Sequence, residues 1–346
     1  MHDKPSAYAQ AGVDIAAANE TKSRIKTLVQ STHGSGVLGV MGGFGGLFLP
    51  PIKAYDEPVL VSSVDSVGTK LKVAFMTGRH DSVGQDMVHH CANDILAQGA
   101  KPLFFLDYLA MGQHDPGVAE AVVAGLAKGC KTIDCALIGG ETAELPDFYQ
   151  PGEYDLAGTI VGIVERSAII DGSTCQAGDV LIGLASDGLH TNGFSLARRV
   201  IFQVAKMNHQ DLFGPTGRSF GDELLIPHRS YVKPVLQVLE QVPIKGMAHI
   251  TGGGFWDNIP RSLPNHLGAQ VQAGSWQIPP IFNFIQQAGS IAMKEMYHVF
   301  NMGVGMVIAL AAEHLDTALE ILQVAGEMAF ILGDLVEGEH RVFLKT

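Results

Sequence analysis

Two strands in succession, at the end of an otherwise alternating pattern, rule out a strictly parallel sheet for the first half of this chain. The runs "PVLVSSVDS", "PLFFLDYLAM", "CALIGGETAE" and "DLAGTIVGIVE" predict strands, and "SVGQDMVHHCANDILAQG" and "DPGVAEAVVAGLAKGCKTI" carry the helical period. The order is β-α-β-α-β-β, with the last two strands parted by a loop around Pro146 to Gly152. Strands with covering helices in that order make an α+β layout, because a doubly wound sheet needs a helix between every pair of parallel strands.

Upstream, Asp14 caps a predicted helix, "IAAANETKSRIKTLVQ", with Ile15, Ile25, Leu28 and Val29 on one face and Lys22 and Lys26 on another. "RSAIIDGSTCQAGD" then breaks the periodicity and marks a boundary, giving units over 1–166 and 167–346; a length of 346 residues also suits two cores. The second unit reads as the strand "VLIGLAS", the turn "DGLHTNG" and the helix "FSLARRVIFQVA". After "HITGGGFWDNIP" and a short helix come the strand "GMVIALA", the helix "EHLDTALEILQVAG" and the strands "AFILGDLV" and "HRVFLKT".

A net charge of −12 argues against nucleic acid or an anionic membrane as partner, since both require a basic face. Cys91, Cys130, Cys135 and Cys175 form no metal-like spacing, and "MHDKPSAYAQ" is no signal peptide, so four reduced thiols in a cytosolic protein are expected. Disorder is expected only in the first few residues. The longest apolar stretch, "VGMVIALAA", is too short to span a membrane.

Several stretches offer chemistry. "GSGVLG" within the glycine-rich segment 34–46 fits a dinucleotide pattern but follows a polar helix, not a strand, and there is no P-loop. That segment is either a mobile lid over polyphosphate or a packed surface loop, and is too apolar for a solvated linker. Acids stand at the ends of elements: Asp65 in "VDSVGTKLK", Asn93 and Asp94 on the polar side of a helix that also carries Asp86 and His90, and Glu141 with Glu144 in "GGETAE". Singly these are ordinary caps or solvated carboxylates. Together they are the hard oxygens that Mg²⁺ takes from separate segments when it binds nucleotide phosphate. His89, His90 and Cys91 do not make a zinc site from one helix, and a structural role is expected for them. In "DGLHTNGFS", Gly188 and Gly193 permit a tight turn around His190, Asn192 can cap, and the next helix can hold an anion. Gly252, Gly253 and Gly254 either cradle a phosphate monoester or simply turn the chain.

Taken in order, "YAQAGVDI", "MGGFGG", "VDSVGTKL", "CANDILAQGAKPLFFLDY", "LIGGETAELP", "AGTIVGIVE", "GLHTNGFSL", "HITGGGFWDNIPR" and "FNMGVGM" resemble the phosphoribosylformylglycinamidine cyclo-ligases, or aminoimidazole ribonucleotide synthetases, across nearly the whole chain. The resemblance implies a cytosolic homodimer whose N-terminal mixed sheets join into an intersubunit β-barrel, each flanked by a C-terminal α/β sandwich domain. ATP and formylglycinamidine ribonucleotide would meet between the domains and yield 5-aminoimidazole ribonucleotide, ADP and phosphate through an iminophosphate. It implies that Asp65, Asp94 and Glu141 hold Mg²⁺, and that Lys26 and Lys70 offset phosphate charge. Gly42, Gly43, Gly45, Gly68, Thr69, Asn93, Gly139, Gly140 and Thr142 would line the nucleotide. Substrate would meet His190, Asn192, Gly252, Gly253 and Gly254. Catalytic roles would fall to His190, Lys26 and Asp65, His190 orienting or protonating the transferred phosphoryl group.

Two positions depart from the family. Ser66 replaces a common glycine, so the backbone there has negative φ or carries about 1 kcal/mol of strain. Asp187 and Thr191 stand where serines are frequent, which changes the hydrogen bonding of the histidine turn. Three relatives fit less well. No cysteine precedes Cys91, as a selenophosphate synthetase would require; no cysteine-bearing tail closes the chain, as in a hydrogenase-maturation protein; and "GLHTNGFSL" is foreign to thiamine-phosphate kinase. A nucleotide-binding regulator without turnover is the remaining alternative, and Ser66 alone favours it.

Overall fold

The computed structural model describes residues 11–39 and 42–345. The expected terminal disorder, the start of "YAQAGVDI" and Met41 of "MGGFGG" lie outside those residues. The first unit comprises α1 (Ile15–Gln30), β1 (Pro58–Ser66), α2 (Leu71–Thr77), α3 (Asp81–Leu96), β2 (Lys101–Met111), α4 (Pro116–Thr132), β3 (Ala136–Glu144) and β4 (Tyr154–Glu165). Its four strands lie in the order β1-β4-β2-β3, antiparallel except for β2 and β3, which α4 connects as a parallel crossover. The sheet is thus mixed, and β1 and β3 are its edges.

Asp14 caps α1, its carboxylate accepting the amides of Ala16 and Ala17 at 2.9 and 3.0 Å. Helices α3 and α4 cover one face of the sheet and cross very closely. A Cβ on Gly84 would meet Val122 O at 2.3 Å, and one on Gly125 would meet Asp81 O at 2.2 Å, so neither position admits a side chain. The other face is open, with Leu60, Val64 and Tyr108 exposed on it. Residues 36–38 pair with residues 47–49 through Leu38 N–H to Leu47 O and Leu49 N–H to Gly36 O, and Phe48 packs on Phe104 at 5.3 Å between ring centres. The base of the glycine segment is therefore packed, while Gly42, Gly43, Phe44 and Gly45 are exposed.

The second unit runs β5 (Val180–Ala185), α5 (Phe194–Arg198), β6 (Leu212–Phe213), β7 (Arg218–Ser219), α6 (Phe220–Leu224), α7 (Val232–Leu239), β8 (Gly246–His249), α8 (Gly254–Asn258), β9 (Leu267–Gln272), α9 (Pro280–Gly289), α10 (Met293–Val299), β10 (Val304–Leu310), α11 (Leu315–Val324), β11 (Ala329–Glu337) and β12 (Val342–Lys345). Six strands form one sheet, β12-β9-β11-β5-β10-β8, beside the two-stranded β6-β7 ribbon. The expected single helix over "FSLARRVIFQVA" is instead α5 continued by a π-helical turn, Arg199–Val204.

Helix α3 joins the two units, and nearly all its residues are buried. Its polar side, which the sequence suggests is solvated, faces the segment 226–231. Asp86 Oδ1 accepts His228 N–H at 2.6 Å, His89 Nδ1 lies 2.6 Å from His228 O, and Asn93 bonds both Arg229 O at 2.9 Å and Tyr231 N–H at 3.0 Å. Backbone groups of a loop that would otherwise be buried and unsatisfied find their partners on this helix.

Candidate active site at the seam

Lys70 follows β1 through a left-handed Gly68 (φ 69°) and enters the seam with no exposed surface. Its ammonium donates to Asp86 Oδ1 at 2.9 Å, His190 O at 3.0 Å and Ile226 O at 2.7 Å. Three acceptors consume all three N–H bonds of a charged amine, so Lys70 has none left for phosphate. This corrects its assignment as a nucleotide lysine: it ties β1 to the second unit. Asn93 is corrected for the same reason, both ends of its amide being committed to the 229–231 backbone. Thr69 remains exposed and shares a 2.9 Å hydrogen bond with Ser195.

One turn beyond Asp86 on α3 the chemistry changes. His90 Nε2 lies 2.7 Å from Asp65 Oδ2 and 3.9 Å from Asp94 Oδ2, and its Nδ1 lies 2.7 Å from Thr191 Oγ1. His249, at the end of β8, holds Asp94 Oδ1 at 2.8 Å through Nδ1 and meets His228 Nε2 at 3.1 Å through Nε2. Ser63 donates to the other Asp94 oxygen at 2.9 Å. Burial raises the Asp65 carboxyl, but the hydrogen bond and charge of His90 more than offset it, leaving the pKa lowered. Burial likewise pushes His90 down, and Asp65 and Asp94 together lift it above its ordinary value. The carboxylate of this hydrogen-bonded pair keeps 40% side-chain exposure.

His190 sits at φ 61°, a left-handed backbone costing about 1–3 kcal/mol for a residue other than glycine. Its ring stacks on His228 with centres 4.0 Å apart, and Nε2 accepts Asp187 N–H at 3.2 Å. Nδ1 therefore carries the proton, and that buried N–H has no partner. Burial holds the pKa well below the usual histidine value. Of the two roles expected for His190, orienting or protonating the phosphoryl group, a neutral ring with one spare N–H suits the first. Asn301, unremarked in the sequence, fixes this turn through Nδ2 to Gly188 O at 3.0 Å. The expected Asn192 cap is also corrected: Gly193 occupies the N-cap of α5 without a side-chain bond, and Asn192 instead stands beside Gly252. In the glycine turn, Gly254 N–H is spent on Thr251 O, and Asn258 Nδ2 gathers the carbonyls of Thr251, Gly252 and Gly254. Only the amides of Gly252 and Gly253 are left for a ligand.

Glu141 does not join this group. Asp65 shares a rung with Gly158, Asp107 and Gly140, whereas Glu141 shares the next with Ser66, Ala157 and Tyr108. Alternation turns the two acids to opposite faces, and the two edges lie three strand spacings, about 14 Å, apart. The three-carboxylate convergence is corrected to two within one chain. Lys26 is exposed on α1, which touches β3, the edge strand that carries Gly139, Gly140, Glu141 and Thr142. Asp107, which no motif flags, is a carboxyl that burial, with Glu141 nearby, pushes up to about 7. Ser66 is not among the residues of positive φ, so its backbone is unstrained and the feature favouring an inactive regulator disappears.

Asp65 and Asp94 fit Mg²⁺, which takes one or two carboxylates and completes its shell with water and phosphate. Domain families match in tandem: AIR synthase related protein, N-terminal domain, over residues 51–164, and AIR synthase related protein, C-terminal domain, over residues 176–345. The phosphoribosylformylglycinamidine cyclo-ligase of Bacillus mycoides (strain KBAB4) is 50% identical over 340 residues, covering 98% of each chain. That of Bacillus cytotoxicus is 51% identical over 338 residues, covering 98% of this chain and 97% of the relative. Thiamine-monophosphate kinase from Stenotrophomonas maltophilia K279a shares the fold, with a TM-score of 0.69 at 19% identity and 96% of both chains covered. Hydrogenase maturation protein HypE in complex with ATP does so with a TM-score of 0.69 at 16% identity, covering 97% of this chain and 93% of that one.

Proposed function

Because this chain belongs to the phosphoribosylformylglycinamidine cyclo-ligase family, and so closes formylglycinamidine ribonucleotide to 5-aminoimidazole ribonucleotide in purine biosynthesis, we propose that the seam cluster of Asp65, His90, Asp94, His190 and His249 is where it does so. The observation that carries the reading is the meeting of two partly exposed carboxylates, from β1 and α3, held by His90 and His249.

The substrate's formyl amide oxygen attacks the γ-phosphoryl group of ATP, and the amidine nitrogen displaces phosphate from the iminophosphate as the ring closes. Such a transfer needs positioning and charge stabilisation more than an enzyme nucleophile. Asp65 and Asp94 would hold Mg²⁺, which would offset the triphosphate charge. His190 Nδ1–H would donate to a phosphoryl oxygen as a neutral ring. Asn192 with the Gly252 and Gly253 amides would take the substrate's phosphate, and Lys26 would act from solvent.

The division between the units is placed at 166/167. A second copy would cover the open face bearing Leu60, Val64 and Tyr108, completing the β-barrel, and would supply partners for the unpaired edges β1 and β3. Such a homodimer gives the Glu141 group of one copy a route to the Asp65 edge of the other. No helix among the described residues is long and apolar enough to cross a membrane, in keeping with a cytosolic enzyme.

Purified protein supplied with ATP, Mg²⁺ and formylglycinamidine ribonucleotide releases ADP on this reading, and does so only when the ribonucleotide is present. ADP without ribonucleotide, or no ADP at all, would sink it. His190→Ala with normal turnover would remove the role given to that ring.

A further inference from the structure

His90, Asp94 and His249 each present a donor atom within 4.8 Å of the other two. Asp65 Oδ2 lies 2.7 Å from the donor nitrogen of His90. The cluster therefore offers two imidazole nitrogens and two carboxylate oxygens, drawn from β1, α3 and the end of β8. Magnesium prefers oxygen alone, whereas a mixed nitrogen and oxygen set suits Zn²⁺ and its first-row neighbours.

A second, independent feature is the shell outside those donors. Histidines that ligate a metal usually donate the other ring N–H to a fixed acceptor. Both do so here. His90 Nδ1 is 2.7 Å from Thr191 Oγ1, and His249 Nε2 is 3.1 Å from His228 Nε2, whose own Nδ1 is 3.3 Å from the same Thr191 oxygen. The protons fit without conflict. His249 Nε2–H donates to His228 Nε2, and His228 Nδ1–H and His90 Nδ1–H both donate to Thr191 Oγ1, which has two lone pairs. This arrangement is the one a bound metal would select, with lone pairs on His90 Nε2 and His249 Nδ1 directed at the carboxylates; without metal those two nitrogens carry the protons that Asp65 and Asp94 accept.

We propose that the nucleotide-free chain binds one zinc-class divalent cation between His90 Nε2, His249 Nδ1, Asp94 and Asp65, with Thr191 and His228 fixing the two rings. The ion displaces the protons now shared within the two histidine–carboxylate pairs. It uses two of the carboxylates assigned above to magnesium, so zinc and the magnesium–nucleotide pair exclude one another.

Chelator-stripped full-length protein, titrated with Zn²⁺ alone, should take up one ion per chain. Thr191→Val, which removes only the acceptor outside the ligands, should weaken binding by about tenfold, and His90→Gln and His249→Gln by more. His298→Gln, at an exposed pair with Asp257, should leave it unchanged. Zinc-edge anomalous scattering from soaked wild-type crystals is the check should a variant not fold: the peak should lie about 2.0–2.1 Å from both named nitrogens. No stoichiometric uptake, uptake indifferent to both histidine changes, or a peak elsewhere would overturn the site. Ring closure is measured separately with Mg²⁺, so zinc binding can fail while the cyclo-ligase reading stands, and the reverse.

Discussion

Asp86 and Asp94 lie two turns apart on α3 and do opposite work. Asp86 has no exposed side-chain surface, and its partner Lys70 spends every N–H inside the protein. Asp94 keeps 31% of its side chain exposed, next to Asp65 at 40%, and among the described residues their ring partners are histidines rather than a lysine or arginine. Residue type does not separate a carboxylate that holds two units together from one that can receive a ligand. What separates them is access to water and the cation alongside: Asp86 is sealed against the Lys70 ammonium with Oδ2 left unpartnered, while Asp94 reaches solvent and is held only by side chains that a ligand can displace.

The contrast makes graded forecasts. Lys70→Met strands the Asp86 charge in the seam and should cost about 3–5 kcal/mol in urea denaturation, much of it recovered in Lys70→Met/Asp86→Leu. A loss under about 1 kcal/mol would deny the seam its structural role. Asp94→Asn, whose amide oxygen still accepts His249, should lower turnover on the order of 10²-fold while stability moves by less than about 1 kcal/mol. Equal loss of both would make the two aspartates alike after all.

Asp107 belongs to neither end. Its folded pKa of about 7 lies above the unfolded carboxylate value, so the native state binds the extra proton and stability falls as pH rises from about 4 to 7, then levels. Asp107→Asn should therefore gain about 4 kcal/mol over wild type at pH 8 and nothing below pH 4, read from denaturation at both pH values. The smallest effect is expected from Ser66→Gly, which should cost about 0.5–1 kcal/mol of strand stability and leave turnover unchanged. A gain in turnover would mean that the serine does constrain the site.

How much of this the sequence discloses depends on the range of the cause. Alternation made β1, β2 and β4 readable, and Asp14 with its apolar stripe made α1 readable, because those signals are local. The short helix α2 was not foreseen, merging as it does with the "VGTK" turn, nor was β8, whose four residues are all buried and so show no alternation. Burial of Lys70 is set by Asp86 and by Ile226, 156 positions away, and no local pattern carries that. The structural role expected of His89 holds, since its ring meets the His228 carbonyl, whereas the setting of His90 depends on Asp65 and on Thr191 of the second unit, which no local pattern carries. Adjacent letters also misled at "GGET": Gly140 and Glu141 are neighbours in sequence, yet the pleat sends Glu141 to the open face.

The most direct measurement is a crystal structure with Mg²⁺ and a non-hydrolysable ATP analogue. The ion should be bound by the Asp65 and Asp94 carboxylates at about 2.0–2.1 Å. An ion on the Glu141 face, with Asp65 still on His90 and Asp94 still on His249, would contradict the placement of the active site at the seam.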